Sequence, residues 1–361
     1  CRRVRQDKAL RDAHVIILTA NAGFRETSQE AGADGFMTKP FSLGEATVDV
    51  GLSIGIAQYP EHGRDADTLM RRADVAMYVA KRTKSGHAVY SAEQDEHSAG
   101  RLALMGELRQ AIRAHQLVLH YQPKVEFRTG RTTGVEALIR WQHPSKGLLA
   151  PDQFIPLAEQ TDLMTMLARY VMSESLQQVE AWRRVGIELN VAVNLSAANM
   201  HESTLPQMIQ ELLQSYALPP SCLTVEITES AIMISKADRT VRKLREMGIG
   251  ISIDDFGTGY SSLSYLKTLP VSEIKMDRSF VKDMAVDTDD AAIVQPTIDL
   301  GHNLRIKVVA EGVEDQTTWK MLQLLGCDYG QGWFISKALP AGELEEWLRT
   351  SRWGIAESVP A

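Results

Sequence analysis

Ile249-Gly250-Ile251-Ser252-Ile253-Asp254-Asp255 is a short apolar run that stops on two adjacent carboxylates. The same phrase recurs on both sides of it. Upstream, Gly134-Val135 leads to Glu136, Val191-Ala192-Val193 to Asn194, and Leu223-Thr224-Val225 to Glu226. Downstream, Ile274 leads to Lys275, the run Ile306 to Ala310 leads to Glu311, and the run Cys327 to Gly330 leads to Gln331. Each interval is long enough for a strand, a helix and their loops. Repeated βα units with buried parallel strands predict an α/β barrel, TIM-like in size at about 250 residues. In that fold the groups that do chemistry sit at the carboxyl ends of the strands, and every polar residue named here is expected there. Pro296 falls inside the helix predicted before Glu311, where it should kink the helix or mark its first turn.

A chain of 361 residues has room for two domains, or for one large domain with an appendage. With 39 basic and 46 acidic residues the net charge is −7, which argues against a polynucleotide partner but leaves room for a small anionic ligand. The hydrophobic share of 44% excludes a wholly disordered chain. Cys1, Cys222 and Cys327 lie far apart and form no CxxC pair. That usage suits a reducing, cytoplasmic setting without disulfides or structural zinc. No stretch approaches the roughly 18 apolar residues of a membrane span, and the polar start CRRVRQDK is no signal peptide, so no membrane partner is expected. A first residue of Cys implies that the chain begins inside a longer gene product.

Five carboxylates, Glu136, Glu226, Asp254, Asp255 and Glu311, would converge on one barrel mouth. Such a cluster is costly unless cations compensate it. Two divalent ions and Lys275 balance it formally. Oxygen ligands with the Asn194 amide suit Mg²⁺ or Mn²⁺ rather than zinc. Two ions about 3.5–4 Å apart are the usual device for in-line attack of water on a phosphate ester. The chemistry implied is hydrolysis of a phosphodiester. Singly, these residues mean less: a strand-end Glu is usually a solvated rim residue, Asn194 reads as a helix cap, and Lys275 and Arg140 read as surface charges. The joint pattern carries the reading.

The ordered motifs Glu136-Ala137-Leu138 with Arg140, Asn194-Leu195-Ser196, Glu226-Ile227-Thr228-Glu229, Asp254-Asp255-Phe256-Gly257-Thr258-Gly259, Lys275-Met276-Asp277, Glu311-Gly312-Val313-Glu314 and Gln331-Gly332 resemble those of EAL-domain phosphodiesterases. The resemblance covers residues 101–353. It implies a modified (β/α)8 barrel that hydrolyses cyclic di-GMP to linear pGpG with Mg²⁺ or Mn²⁺. By the same resemblance, Glu136, Asn194, Glu226 and Asp254 would hold one ion, and Asp254, Asp255 and Glu311 the other. Lys275 would polarise the attacking water or stabilise phosphate charge, with Glu311 a candidate base. Leu138 and Arg140 would hold substrate, with Gln331 nearby, and Glu229 would anchor the loop after Asp255. Asp277 and Glu314 are read as supporting or structural residues. Members commonly dimerise, so a homodimer through this domain is expected. A catalytically silent cyclic di-GMP receptor or a signalling scaffold is the alternative. None of the nine histidines precedes an Asp, so the HD type of metal phosphodiesterase is unsupported, and no GxSxG elbow is present.

The front of the chain resembles known families only in fragments, which predicts an incomplete α/β region. Residues 1–43, with Val15 to Ala20 and Ala31-Gly32-Ala33-Asp34-Gly35-Phe36-Met37-Thr38-Lys39-Pro40-Phe41, resemble the end of a receiver domain without its acceptor Asp. Residues 44–96, with Ser53-Ile54-Gly55-Ile56-Ala57 and Ala73-Asp74-Val75-Ala76-Met77-Tyr78, resemble the carboxyl half of a GGDEF diguanylate cyclase domain without its signature. Neither phosphorylation switching nor cyclase activity is expected. Leu69, Ala73, Ala76, Met77 and Ala80 should form the core face of one helix there. Ser91 to Gly100 reads as a linker.

Overall fold

A computed structural model describes residues 16–19, 35–38, 41–43, 46–48, 53–83, 85–91, 104–159, 163–234, 238–258, 266–285 and 288–355. They fall into two compact units, Cys1–Leu102 and Ala103–Ala361.

In the first unit, β1 (Ile16–Thr19) pairs in parallel with β2 (Gly35–Thr38), and β3 (Phe41–Leu43) pairs antiparallel with β4 (Ala46–Val48). The other receiver-like residues lie outside the described residues, as does nearly all of the expected linker. β5 (Ile54–Ile56) and β6 (His87–Val89) are parallel, so a crossover must join them, and the helix Ala66–Thr83 makes it. A Cβ at Gly55 would lie 1.8 Å from the Ala73 carbonyl, which is why only glycine lets this helix approach the strand. The helix buries Ala76 and Ala80, but Met77, expected on the core face, is 42% exposed. With so short a sheet beneath it, the helix covers a narrower stripe than its periodicity suggests.

The second unit is built on β7 (Leu117–Glu126), β8 (Arg131–His143), β9 (Gly147–Leu149), β10 (Asn190–Leu195), β11 (Leu223–Thr228), β12 (Gly250–Phe256), β13 (Glu273–Met276), β14 (Lys307–Ala310), β15 (Tyr329–Gly330) and β16 (Leu339–Pro340). The sheet runs β16-β7-β15-β14-β13-β12-β11-β10-β8-β9, and an added β7–β8 pairing closes eight of these strands into a ring. The ring is all parallel except β7, which runs antiparallel to β8 and β15. This is the modified eight-stranded barrel that the motifs implied.

The two faces of the strands are unusually different. The outward residues Val191, Val193, Val225, Ile227, Ile251, Ile253, Ile274 and Val308 are buried, and with the helices outside they form the continuous apolar core. The alternate residues face inward, and among them are Glu136, Thr224, Glu226, Ser252, Glu273 and Lys275, all buried. Barrel interiors are normally filled by branched aliphatic side chains. Here the interior is polar, so charge must be satisfied internally. Pro296 sits inside the unbroken helix Thr288–Leu304, not at its first turn. Thr297 Oγ1 donates to the Ile293 carbonyl at 2.8 Å, adding a bond in the turn the proline interrupts.

Candidate active site

Strand geometry decides which side chains meet. Asn194 and Glu226 are direct neighbours in the β10–β11 ladder, and Asp254 pairs with Thr228 one strand further on. Adjacent strand residues normally point to opposite faces, so Asp254 and Asp255 should diverge. They do not, because β12 carries a register shift between Ile253 and Phe256, and Asp255 adopts φ 55°. An irregularity of this kind re-aims one side chain, and aspartate tolerates the left-handed conformation better than most residues. Carboxylate oxygens of Asp254, Asp255 and Glu311 consequently lie within 4.8 Å of one another. Glu229 accepts from the Gly257 amide at 3.1 Å, which ties down the chain just after this bulge. Residues 259–265 of the motif lie outside the described residues.

Lys275 occupies the centre. Its Nζ lies 2.7 Å from Glu311, 2.9 Å from Glu226, 3.2 Å from Asp254 and 3.3 Å from Glu136, and the side chain is 1% exposed. Burial alone would pull its pKa down, yet Glu136, Glu226, Glu311 and Asp254 outweigh burial and hold it well above the ordinary lysine value. Burial also pushes Glu311 up to about 7, with Lys275 opposing and Asp254 and Glu136 adding to the rise. Glu226 is raised by burial and by Glu136. Glu136 goes the other way: Lys275, Gln331 and Asn194 overcome its burial and keep it ionised.

Glu136 is the most heavily bonded of the carboxylates. It accepts from Asn194 Nδ2 at 2.7 Å and from Gln331 Nε2 at 2.6 Å as well as from Lys275. It does not end its strand, as the run Gly134-Val135 suggested, but lies in the middle of the thirteen-residue β8. The reason is that β8 outruns the parallel barrel, pairing with β10 only over Gly134–Ala137 and continuing as a hairpin with β9. Leu138 and Arg140 alternate with Glu136 on the same face, so they line the wall of the mouth above it. Arg140 Nη1 donates to its neighbouring carbonyl, Ile139 O, at 2.9 Å. Gln331, expected beside a substrate, is 4% exposed, and its amide holds Glu136 and Gln122. Gln122 was not singled out from sequence; its position opposite Glu136 in the β7–β8 ladder is the signal that finds it. Asp277 caps the helix Arg278–Val281 through the Ser279 amide, and its carboxylate also contacts Asp255, whose pKa is pushed up by burial, by Asp254 and by this contact.

The donor set fits divalent cations. Its carboxylates offer oxygen ligands, the nitrogen donors on Glu136 keep that group ionised, and the excess of carboxylates over the single lysine leaves negative charge to be balanced. Gly332 holds the set together from the side of Gln331. A Cβ there would lie 2.3 Å from both the nitrogen and the oxygen of Val313, whose amide donates to the Gln331 carbonyl. Gly332→Ala is expected to cost about 1–3 kcal/mol, as overpacking does, and to lower any turnover by displacing Gln331. Thermal melting and initial rates would check both.

An eight-stranded barrel with a buried lysine and converging carboxylates at its mouth belongs to the class of α/β barrels, and its Asp254–Asp255–Glu311 group is consistent with a metal site. Within that class the chain belongs to the EAL domain family, whose model matches residues 105–338. The diguanylate cyclase GGDEF domain matches residues 29–87, so a partial GGDEF domain precedes the barrel; that match takes in the end of the stretch read as receiver-like. The bifunctional diguanylate cyclase/cyclic di-GMP phosphodiesterase MucR of Pseudomonas aeruginosa is 44% identical over 313 residues, covering 85% of this chain and 46% of MucR. The cyclic di-GMP phosphodiesterase NbdA of the same organism is 38% identical over 325 residues, covering 89% of this chain and 41% of NbdA. The chain thus spans less than half the length of these two curated relatives. The solved MucR phosphodiesterase in complex with c-di-GMP is 46% identical, with a TM-score of 0.65 over 67% of this chain and 99% of that one. The EAL enzyme Bd1971 in its cGMP-bound form is 29% identical, with a TM-score of 0.66 over 77% of each chain. No helix among the described residues is long and apolar enough to cross a membrane.

Proposed function

We propose that this chain hydrolyses cyclic di-GMP to linear pGpG and so lowers the level of that messenger. The observation that carries the reading is the convergence of Glu136, Glu226, Asp254 and Glu311 on Lys275, beside the Asp254–Asp255–Glu311 group. MucR and NbdA support it by their described activities, and the MucR phosphodiesterase complex supports the ligand.

Glu136, Asn194, Glu226 and Asp254 would hold one Mg²⁺ or Mn²⁺, and Asp254, Asp255 and Glu311 a second. Bound there, the ions supply positive charge for the phosphate oxygens and lower the pKa of the attacking water. Lys275 polarises the attacking water or stabilises negative charge developing on the phosphate. Glu311, at the rim of the cluster, is a candidate to accept the proton of the attacking water. Leu138 and Arg140 hold substrate along the β8 wall, the guanidinium offering paired donors to a phosphate. Glu229 keeps the chain beyond Asp255 in place through the Gly257 amide. One water adds across one phosphodiester: its oxygen bonds to phosphorus, the P–O3′ bond breaks, and the leaving O3′ gains a proton. The product is the linear dinucleotide with a 5′-phosphate.

The test is a chromatographic assay of the purified chain with cyclic di-GMP and Mg²⁺ or Mn²⁺. Appearance of pGpG is expected. Absence of pGpG, with Glu136→Ala indistinguishable from wild type, overturns the reading, and calorimetric binding without turnover would make the chain a receptor instead. A homodimer through the barrel domain belongs to the same proposal, and light scattering is expected to give twice the chain mass.

A further inference from the structure

Two buried charges take no part in the site just described. Lys124 Nζ lies 2.9 and 2.7 Å from the two carboxylate oxygens of Glu273, and each side chain is 10% exposed. The same ammonium stands 5.4 Å from the centroid of the Tyr329 ring. Glu273 opens β13 and pairs with Lys307, the first residue of β14, so this ion pair lies at the amino-terminal end of the barrel, opposite the mouth. Lys124 is on β7, and β15 and β14 separate that strand from β13 in the sheet. The bond therefore crosses the interior instead of following a ladder. Stability is a weak reason for such a pair, since well-packed apolar residues of similar volume usually serve as well or better.

Connectivity supplies a better reason. Glu273 and Lys275 are alternate residues of β13 and both face inward. Lys124 and Gln122 stand in the same relation on β7. Gln122 accepts from Gln331 Nε2 at 3.2 Å, Gln331 Nε2 donates to Glu136 at 2.6 Å, and Glu136 accepts from Lys275 Nζ at 3.3 Å. The circuit Glu273, Lys124, Gln122, Gln331, Glu136, Lys275 closes on itself through the two strands. On its other flank β13 is poorly indexed. The β12–β13 ladder pairs Ile253 with Ile274 and then jumps to Phe256 with Met276, so Lys275 has no partner in that register. On the β14 side the ladder does index the central lysine, pairing it with Val309; on the β12 side, where it is skipped, a side-chain tether two residues away adds to that ladder in setting its height.

We infer that the Lys124–Glu273 ion pair is a positioning device, which fixes β13 along the barrel axis and thereby sets Lys275 Nζ among its carboxylates. Neither residue touches the mouth, so the pair acts through Lys275. This inference rests on the hydrolase reading for its kinetic arm only.

The experiment compares the whole chain with Glu273→Gln and with the double substitution Lys124→Met, Glu273→Met. Steady-state kinetics on cyclic di-GMP, thermal melting and crystal structures of the variants are the readouts. Glu273→Gln is expected to lower kcat about 10- to 100-fold, the effect of a misplacement of about 1 Å, with KM within about twofold. Its crystal structure should show Lys275 Nζ displaced relative to Glu226 and Glu311. The double Met variant should melt no lower than wild type yet share the kcat loss, which separates positioning from stability. Wild-type kcat in the folded double variant, or an unmoved Lys275 in the variant structures, overturns the inference. If the wild-type chain itself produces no pGpG, the hydrolase reading fails, and the displacement of Lys275 still decides the positioning role.

Discussion

Glu136→Ala is expected to reduce pGpG formation by about 10²–10³-fold or more while leaving a folded barrel, as an assay of product against time and a circular dichroism melt would show. The size follows from how many groups Glu136 organises. Asn194 Nδ2, Gln331 Nε2 and Lys275 Nζ all donate to it, from β10, from the end of β15 and from β13. Removing the carboxylate leaves two buried donors, on Gln331 and Lys275, and the exposed Asn194 amide without their shared acceptor, and removes an oxygen ligand for one ion. Glu136→Gln is the informative companion. It preserves shape, but one half of its amide is a donor that would face other donors, so it should fail nearly as badly. Calorimetric titration with Mn²⁺ separates the causes: weaker metal binding marks the lost ligand, whereas unchanged binding with low turnover marks the misaligned neighbours.

Much of the convergence at the mouth is legible in the sequence, for a physical reason. Parallel βα units place their strand ends on one face, so apolar runs that end on Asn194, Glu226, Asp254, Lys275 and Glu311 converge without any knowledge of contacts. Two things were not legible. The alternation that predicts parallel strands says nothing about a reversed one, and β7 contains Pro123, which reads as a strand breaker because it cannot donate to a ladder. With β7 hidden, Glu136 was placed at a strand end instead of mid-strand, and Gln122 and Lys124 had no visible role. The second is the polar interior. Lys124 and Glu273 look like solvated charges in a linear sequence, since nothing local says that their strands face each other across a barrel. The bulge at Asp254–Asp255 lies between these cases. The adjacent carboxylates announce a shared site, but only the register shift and the φ of Asp255 explain how neighbours on one strand reach it together.

Lys275→Met should have the other large effect, and on two observables at once. The ammonium is within 3.3 Å of four carboxylates and its side chain is 1% exposed, so its loss strands negative charge around a buried position. Breaking a buried ion pair from one side costs about 3–5 kcal/mol. For a barrel of this size that corresponds to a fall in melting temperature of roughly 6–20 °C, measured in chelator. Divalent cation is expected to recover much of this loss, because it supplies the missing positive charge to the same carboxylates. Turnover should not recover with it. An ion that restores charge balance does not replace a donor fixed by β13, so kcat is expected to stay about 10²–10³-fold below wild type at saturating metal. Lys275→Arg should not rescue either quantity. The planar guanidinium is larger and spreads its donors in one plane, whereas the four acceptors surround a point charge. Full recovery of both melting and turnover in Mn²⁺ would mean that Lys275 serves only to balance charge.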